Sequence, residues 1–534
     1  MSRLPSLDET LDRLRSTERR YSEAERIAQT RQAIEANERF ATDRQRVDRY
    51  LGQLGKKDMF LPMYGLGHSP QGLPLALPPY LIELMEASAR ILCALTRRRL
   101  REAGPALLLE RTRKGWLTEE LADRLHKYFL EHEPDMGFDV LVYGRHSPRG
   151  MTFSEFKRSG DWLHAKILEA QAVDTYYGWV REYLRASRAA GLSEGHRFTW
   201  STDASGRPLS DDALEDQVAA TLLYGLEDET DKIMFLEIDP EKQATYQNLV
   251  FMSETMCRKR PSLRPLILDP RSTELRQGRL YCTLPGKERE IEKVISRLVD
   301  FDIGVFVKQR EEEGNTAAVE HLRQIFALPG LFPDLSKHLC GFYLIDKSSL
   351  TEMSLLGEVS TAAKTELISA AHLESYRKEP ALLKRLAIKP LHGMSAKGVV
   401  VSPTLEQLEK ALAAEPMLAQ ESIWATPIMP NIIPELQDAD AQAGICSEAR
   451  LVMQAGSPAV AQEPHAARVI AALSRSHFQS RDPERKVKDD PKGRGWYSNV
   501  GAIMAVRSEL GISEKDDGGV GMAPIYCLEE RPDQ

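Results

Sequence analysis

Residues 386–412 read LAIKPLHGMSAKGVVVSPTLEQLEKAL. Leu386, Ala387 and Ile388 form an apolar run that leads into Lys389, and Pro390 removes the N–H that would carry a strand ladder further. Gly393 and Gly398 bracket a loop that holds Ser395 and Lys397. Val399–Val401 reads as a return strand. Pro403 and Thr404 then open a helix whose Leu405, Leu408 and Leu412 mark one apolar face. The order is strand, lysine, glycine-bracketed loop, strand, helix. A polyphosphate needs backbone N–H groups that approach without an intervening Cβ, and cations for its charge. A hairpin carrying two lysines supplies both. Two familiar alternatives fail. The Walker spacing is approached by Gly393 and Gly398, but Val399 stands where lysine is required and a strand follows instead of a helix. Ala387-Ile388-Lys389 echoes the strand lysine of protein kinases, yet no His-Arg-Asp or Asp-Phe-Gly element follows it.

Three further pieces stand around this stretch in order. Ile345-Asp346-Lys347 lies upstream at the end of an apolar strand. Met417-Leu418-Ala419-Gln420-Glu421-Ser422-Ile423 follows the helix. Glu448-Ala449-Arg450-Leu451-Val452-Met453 comes next. Arg450 is unusual in so apolar a strand, because a half-buried guanidinium needs a counter-charge. An anionic phosphate is one candidate. Glu448, two residues away on the same strand face, is the other.

The bulk properties set the frame. A chain of 534 residues exceeds a single hydrophobic core, so two or three domains are expected. A 42% apolar and 28% charged composition is that of a folded globular chain. A formal charge of −8 argues against general nucleic-acid binding. Six widely spaced cysteines without a Cys-x-x-Cys pair suggest reduced thiols rather than zinc or disulfides. Neither a signal peptide nor a membrane span is visible, and the sequence reads as cytoplasmic.

Residues 8–54 carry a narrow heptad-like stripe on a charge-balanced surface, which suits a packing arm or a homodimer through these helices. Helical patterns continue from Tyr80 to about Leu130 and again over Trp162–Ala190. Strands are expected at Lys232–Asp239, Arg264–Asp269, Leu280–Leu284 and Ile303–Val307, with helices at Pro240–Arg258 and Glu288–Leu298. That alternation implies an open α/β unit. The last segment is strand-dominated, with helical pieces at Thr404–Ala414 and Ala466–Arg475. Arg468 and Arg475 are secondary candidates for a functional role.

Taken together, the lysine hairpin and the three pieces around it resemble the ATP-grasp superfamily. They are most similar to its glutathionylspermidine-synthetase-like and related carboxylate–amine ligase branches. The resemblance implies an α/β (α+β ATP-grasp) architecture. A mostly helical region would occupy 1–130, an open α/β pre-ATP-grasp-like domain 131–344, and the ATP-grasp unit 345–534. It also implies ATP and Mg²⁺ as cofactors. Lys347 and Lys389 would neutralise phosphate, and Gly393, Ser395, Lys397 and Gly398 would form the phosphate loop. Gln420, Glu421 and Ile423 would line the adenine, Arg450 would face the transferred phosphoryl group, and Glu448 and Asn499 would hold the metal. The implied reaction is amide formation between a small-molecule carboxylate and an amine, such as amino acids, through an acyl phosphate with release of ADP and phosphate. Two departures are visible. Met394, Ser395 and Ala396 stand where the family has more glycine, and Trp496-Tyr497-Ser498-Asn499 lacks the glutamate of the family's Glu-x-Asn metal pair. A degenerate ATP-grasp protein that binds nucleotide or a partner, and a small-molecule kinase, are the alternatives.

Overall fold

Strands from three distant parts of the chain meet in one six-stranded sheet. The computed structural model describes residues 7–55, 73–111, 116–131, 136–148, 151–171, 177–192, 215–216, 219, 223, 232–243, 246–298, 300–328, 347–354, 362–391, 398–430, 444–454, 468–478 and 521–527. In spatial order the sheet runs β1 (Leu75–Leu77), β16 (Gly521–Cys527), β15 (Arg468–Phe478), β14 (Ile445–Gln454), β2 (Met136–Gly144) and β3 (Leu163–Gln171). Every pairing is antiparallel except β1 with β16. The sheet therefore crosses the expected boundary at 344/345.

Period-2 alternation divides this sheet into two unlike faces. Phe138, Val140, Val142, Ala165, Ile167, Ala449 and Leu451 project into the main core. The helices Glu23–Thr42, Pro79–Ala103 and Tyr177–Ala189 supply Ile34, Phe40, Leu81, Leu92, Trp179 and Val180 to that same core. Of the apolar stripe on the N-terminal helices, Leu11, Leu14 and Ile34 are core residues of the chain itself, joined by Val47, Tyr50 and Leu54. Ser22 opens the second helix with a capping box: its hydroxyl accepts from the Glu25 N–H, and the Glu25 carboxylate accepts from the Ser22 N–H. Asn37, fully buried on this helix, covers the sheet edge. Its amide donates to the Ala76 carbonyl at 3.1 Å and accepts from the Ala76 N–H at 2.7 Å, while also donating to the Ile428 carbonyl at 3.1 Å. An open strand edge is thereby satisfied by one side chain.

The second sheet is antiparallel, ordered β10 (Thr365–Leu367), β13 (Met417–Glu421), β11 (Leu386–Pro390) and β12 (Val400–Val401). Ile388, Met417 and Ala419 pack against Tyr376, Leu383 and Leu408 from the helices on its outer side. Alternation then sends Lys389, Leu418 and Gln420 to the opposite face, toward the first sheet. The helix Leu405–Ala414 starts at a capping box formed by Thr404 and Gln407. Residues 362–364 join the two sheets: Ala363 N–H donates to the Ile167 carbonyl at 3.0 Å, and the Lys364 carbonyl accepts from the Glu421 N–H at 2.8 Å.

A third, parallel sheet runs β5 (Leu266–Leu268), β4 (Ile233–Leu236), β9 (Lys293–Ser296), next to a meander of β6 (Thr273–Arg276), β7 (Arg279–Cys282) and β8 (Arg289–Ile291). It has its own core with the helices Glu119–Glu131, Asp300–Glu312 and Thr316–Ala327. The chain is a mixed α/β protein. Among the described residues no helix is long and apolar enough to cross a membrane.

Four local expectations differ from the structure. Trp162–Ala190 is divided between β3 and the helix Tyr177–Ala189, since Leu163, Ala165 and Ile167 alternate across a sheet. Glu288–Leu298 forms β8 and β9. Its apolar residues have helical spacing, but Val294 and Ile295 are buried beside β4 on both sheet faces, where no alternation is required. Ile303–Val307 lies in the helix Asp300–Glu312, with Ile303, Phe306 and Val307 on its buried side. Ala466–Arg475 falls largely in β15, whose pairing with β14 is shifted by a bulge that interrupts the alternation.

Candidate functional site

The inner face of the six-stranded sheet carries four buried charges. In the register of β14 with its two neighbours, Arg450 stands opposite Asp139 of β2, and Glu448 stands opposite Arg475 of β15. Residues directly opposed in an antiparallel pair share a face, and so do residues i and i+2. All four charges therefore meet. Arg450 donates from Nε to Asp139 Oδ1 at 2.6 Å and from Nη2 to Oδ2 at 2.5 Å. Arg475 Nη2 lies 2.8 Å from the same Oδ2 and also contacts the Glu448 carboxylate. The four form an alternating row, Arg450–Asp139–Arg475–Glu448. Burial pushes the Asp139 carboxyl upward, but Arg450 and Arg475 outweigh it and bring its pKa down to about 2.

β2 and β3 slip by one residue beside this row. Asp139 pairs with Glu169, and Val140 pairs with Ile167, so Leu168 has no place in the ladder. Its carbonyl is taken up by the second sheet. Gln420 Nε2 donates to it at 3.1 Å, and to Thr365 Oγ1 at 3.0 Å. Lys389 Nζ lies 3.5 Å from the same carbonyl. The bulge is thus where the two sheets touch across their polar faces. Next to it lies a small apolar cluster of Leu141, Leu168, Ala363, Ala425 and Cys446, with Ile423 packed against it.

Lys389 is only 6% exposed. Burial lowers the pKa of its amine, Glu169 and Asp139 raise it, and Lys347 lowers it further, to about 8 in sum. Lys347 is as deeply buried and donates to the Pro390 carbonyl at 3.3 Å. Two ammonium groups from different segments therefore share one low-dielectric region. Such an arrangement favours the arrival of an anion.

Of the residues expected on the adenine side, Gln420 bridges the sheets. Glu421 accepts from the Lys364 N–H at 2.8 Å and contacts Lys166 of β3. Ile423 is half-buried. Gly398 has φ +75°, and a Cβ there would come 2.6 Å from the Pro390 ring, so its backbone packs closely against the end of β11. Gly393, Ser395, Lys397 and Asn499 lie outside the described residues.

The counter-charge of Arg450 is Asp139, not Glu448. No strand is expected at 136–144 from the sequence, although Phe138, Val140 and Val142 alternate with Asp139, Leu141 and Tyr143. An acidic residue at a mid-strand position was the available signal. Arg475 is among the secondary candidates, but the helical expectations for 162–190 and 466–475 conceal that Glu169 and Arg475 share a sheet face with Asp139. Glu448, expected to hold Mg²⁺, contacts Arg475, and among the described residues no group of three or more His, Cys, Asp or Glu side chains is placed to hold a metal ion. With its carboxylate taken by Arg475, Glu448 does not fit the role of ligand to a dication, which needs one or two available carboxylates besides phosphate oxygens and water.

No protein-family model matches the chain, and no curated protein matches it. Among solved structures, a glutathione synthetase like-effector (GSS30) from Globodera pallida in its apoform is similar at a TM-score of 0.36 and 11% identity, covering 76% of this chain and 82% of that one.

Proposed function

We propose that the space between the two sheets binds ATP and that the protein uses it to activate a small-molecule carboxylate for attack by an amine, releasing ADP and phosphate. The observation that carries this reading is the pairing of two buried lysines beside the arginine-bearing face of β14 and β15: Lys389 reaches the bulge of β3, and Lys347 donates to the Pro390 carbonyl next to it and acts electrostatically on Lys389. Lysines held in this way would neutralise and orient phosphate groups, and phosphoryl transfer asks for positioning and charge stabilisation above all. The resemblance of the hairpin and the adjoining segments to the ATP-grasp superfamily supports the same reading. Amino acids are the substrate class it suggests for both carboxylate and amine.

Calorimetric titration with ATP tests the binding step. Wild type should bind, and Lys389→Ala should weaken binding at least tenfold; equal affinities would sink the assignment. Release of ADP and phosphate with a panel of amino acids and amines tests the reaction. One observation favours a second reading, a nucleotide-binding protein without ligase turnover: Arg450 is already engaged by a carboxylate of its own chain. ATP binding with no ADP release across the panel would select it. A stable phosphoester without an amide product would instead mark a small-molecule kinase.

A further inference from the structure

We infer that the phosphates of a nucleotide bound between the sheets are neutralised by arginine and lysine side chains, with no divalent cation held by Glu448. The inference rests on the nucleotide reading above and concerns what balances the ligand's charge. Glu448 is 1% exposed and in contact with Arg475. A dication coordinated by Glu448 would sit against that guanidinium, and two positive centres at contact distance in a buried site repel strongly. Asp139 is the next carboxylate along the same face, and it receives both arginines. Both oxygens of Asp139 and Oε1 of Glu448 thus lie against guanidinium groups. The row of two arginines and two carboxylates is balanced in itself, and the surplus positive charge comes from Lys389 and Lys347, both buried in the same region. Planar guanidinium groups suit phosphate oxygens, and Asp139 fixes two of them in place before any ligand arrives.

The test is calorimetry of ATP binding to the full chain, once in EDTA and once in excess Mg²⁺. The expected affinities agree within about threefold. A larger loss in EDTA overturns the inference while leaving nucleotide binding intact. Absence of binding in both buffers overturns the nucleotide reading and the inference with it. A second arm titrates Mn²⁺ alone and follows the free ion by paramagnetic resonance. No protein-bound Mn²⁺ that depends on Glu448 is expected. Bound Mn²⁺ that disappears in Glu448→Gln would overturn the inference. The same variant, with its thermal unfolding checked against wild type, should keep the EDTA-to-Mg²⁺ affinity ratio within about threefold.

Discussion

Arg450 and Asp139 face each other across the β2–β14 pairing, with two parallel hydrogen bonds of 2.6 and 2.5 Å between guanidinium and carboxylate. A buried pair of this kind is far more costly to break than to replace as a unit. Asp139→Ala should destabilise the protein by about 3–5 kcal/mol, since it strands Arg450 and leaves Arg475 with one carboxylate fewer. Urea unfolding measures it. A loss below about 1 kcal/mol, the range of an exposed pair, would contradict the buried network.

Acid should reveal the same carboxylate. The folded pKa of Asp139 is lowered from 3.8 to about 2, so its contribution is complete above the unfolded value and is lost as pH falls from about 4 toward 2. The difference amounts to about 2 kcal/mol. The urea midpoint of wild type should therefore drop across this window more steeply than that of Asp139→Asn. Parallel pH profiles for the two proteins would count against it.

Lys389 gives a pH slope of the same sign in a higher window, but at neutral pH it opposes folding. Its folded pKa is lowered from 10.5 to about 8, so the folded state binds fewer protons than the unfolded state between these values, and stability rises with pH across that interval. Lys389→Met should be more stable than wild type at pH 7, by about 1–3 kcal/mol, because the cost of a buried ammonium is removed. The same variant should bind ATP more weakly. Wild-type ATP affinity should also fall as pH passes about 8, and the variant should not show this fall. Calorimetry between pH 7 and 9 on both proteins decides it.

Gln420 offers a test of how the sheets are held together. Gln420→Leu removes the donor to the Leu168 carbonyl and to Thr365 Oγ1. A cost of about 1–3 kcal/mol is expected from the buried carbonyl left behind. Amide exchange should accelerate at Ala363 and Glu421, the backbone donors that tie residues 362–364 to their neighbours. Unchanged exchange there would mean that the contact between the sheets does not depend on this amide.

Gly398→Ala should cost about 1–2 kcal/mol or more, because its φ of +75° suits glycine and the new methyl group meets the Pro390 ring. Thermal unfolding reads the effect, and a neutral result would mean that the turn can rearrange.

The second sheet was legible because its signals are local. Pro390 ends β11, Thr404 and Gln407 start a helix, and the apolar periods are clean. The first sheet was largely illegible because its signals are not local. β2 and β3 are separated from β14 by more than 270 positions, and the alternation of β3 and β15 is disturbed by bulges where the site lies. Arg450 announced that it needed an anion, but nothing in its neighbourhood named Asp139. Distance along the chain concealed the partner, and the bulge at Leu168 concealed the surface that Lys389 faces.

The side-chain amide of Asn37 joins residues 37, 76 and 428. Closing a contact between positions 391 apart costs chain entropy that local pairing does not repay, so this junction belongs to late events in folding. It follows that the N-terminal helices are not a detachable accessory. A fragment starting at residue 345 would emerge with the flanks of β14 and β16 uncovered, lacking β1, β2 and β3, and would be expected to aggregate through those edges. On the ribosome, the sheet bearing the candidate site can close only after Gly521–Cys527 have been made and released.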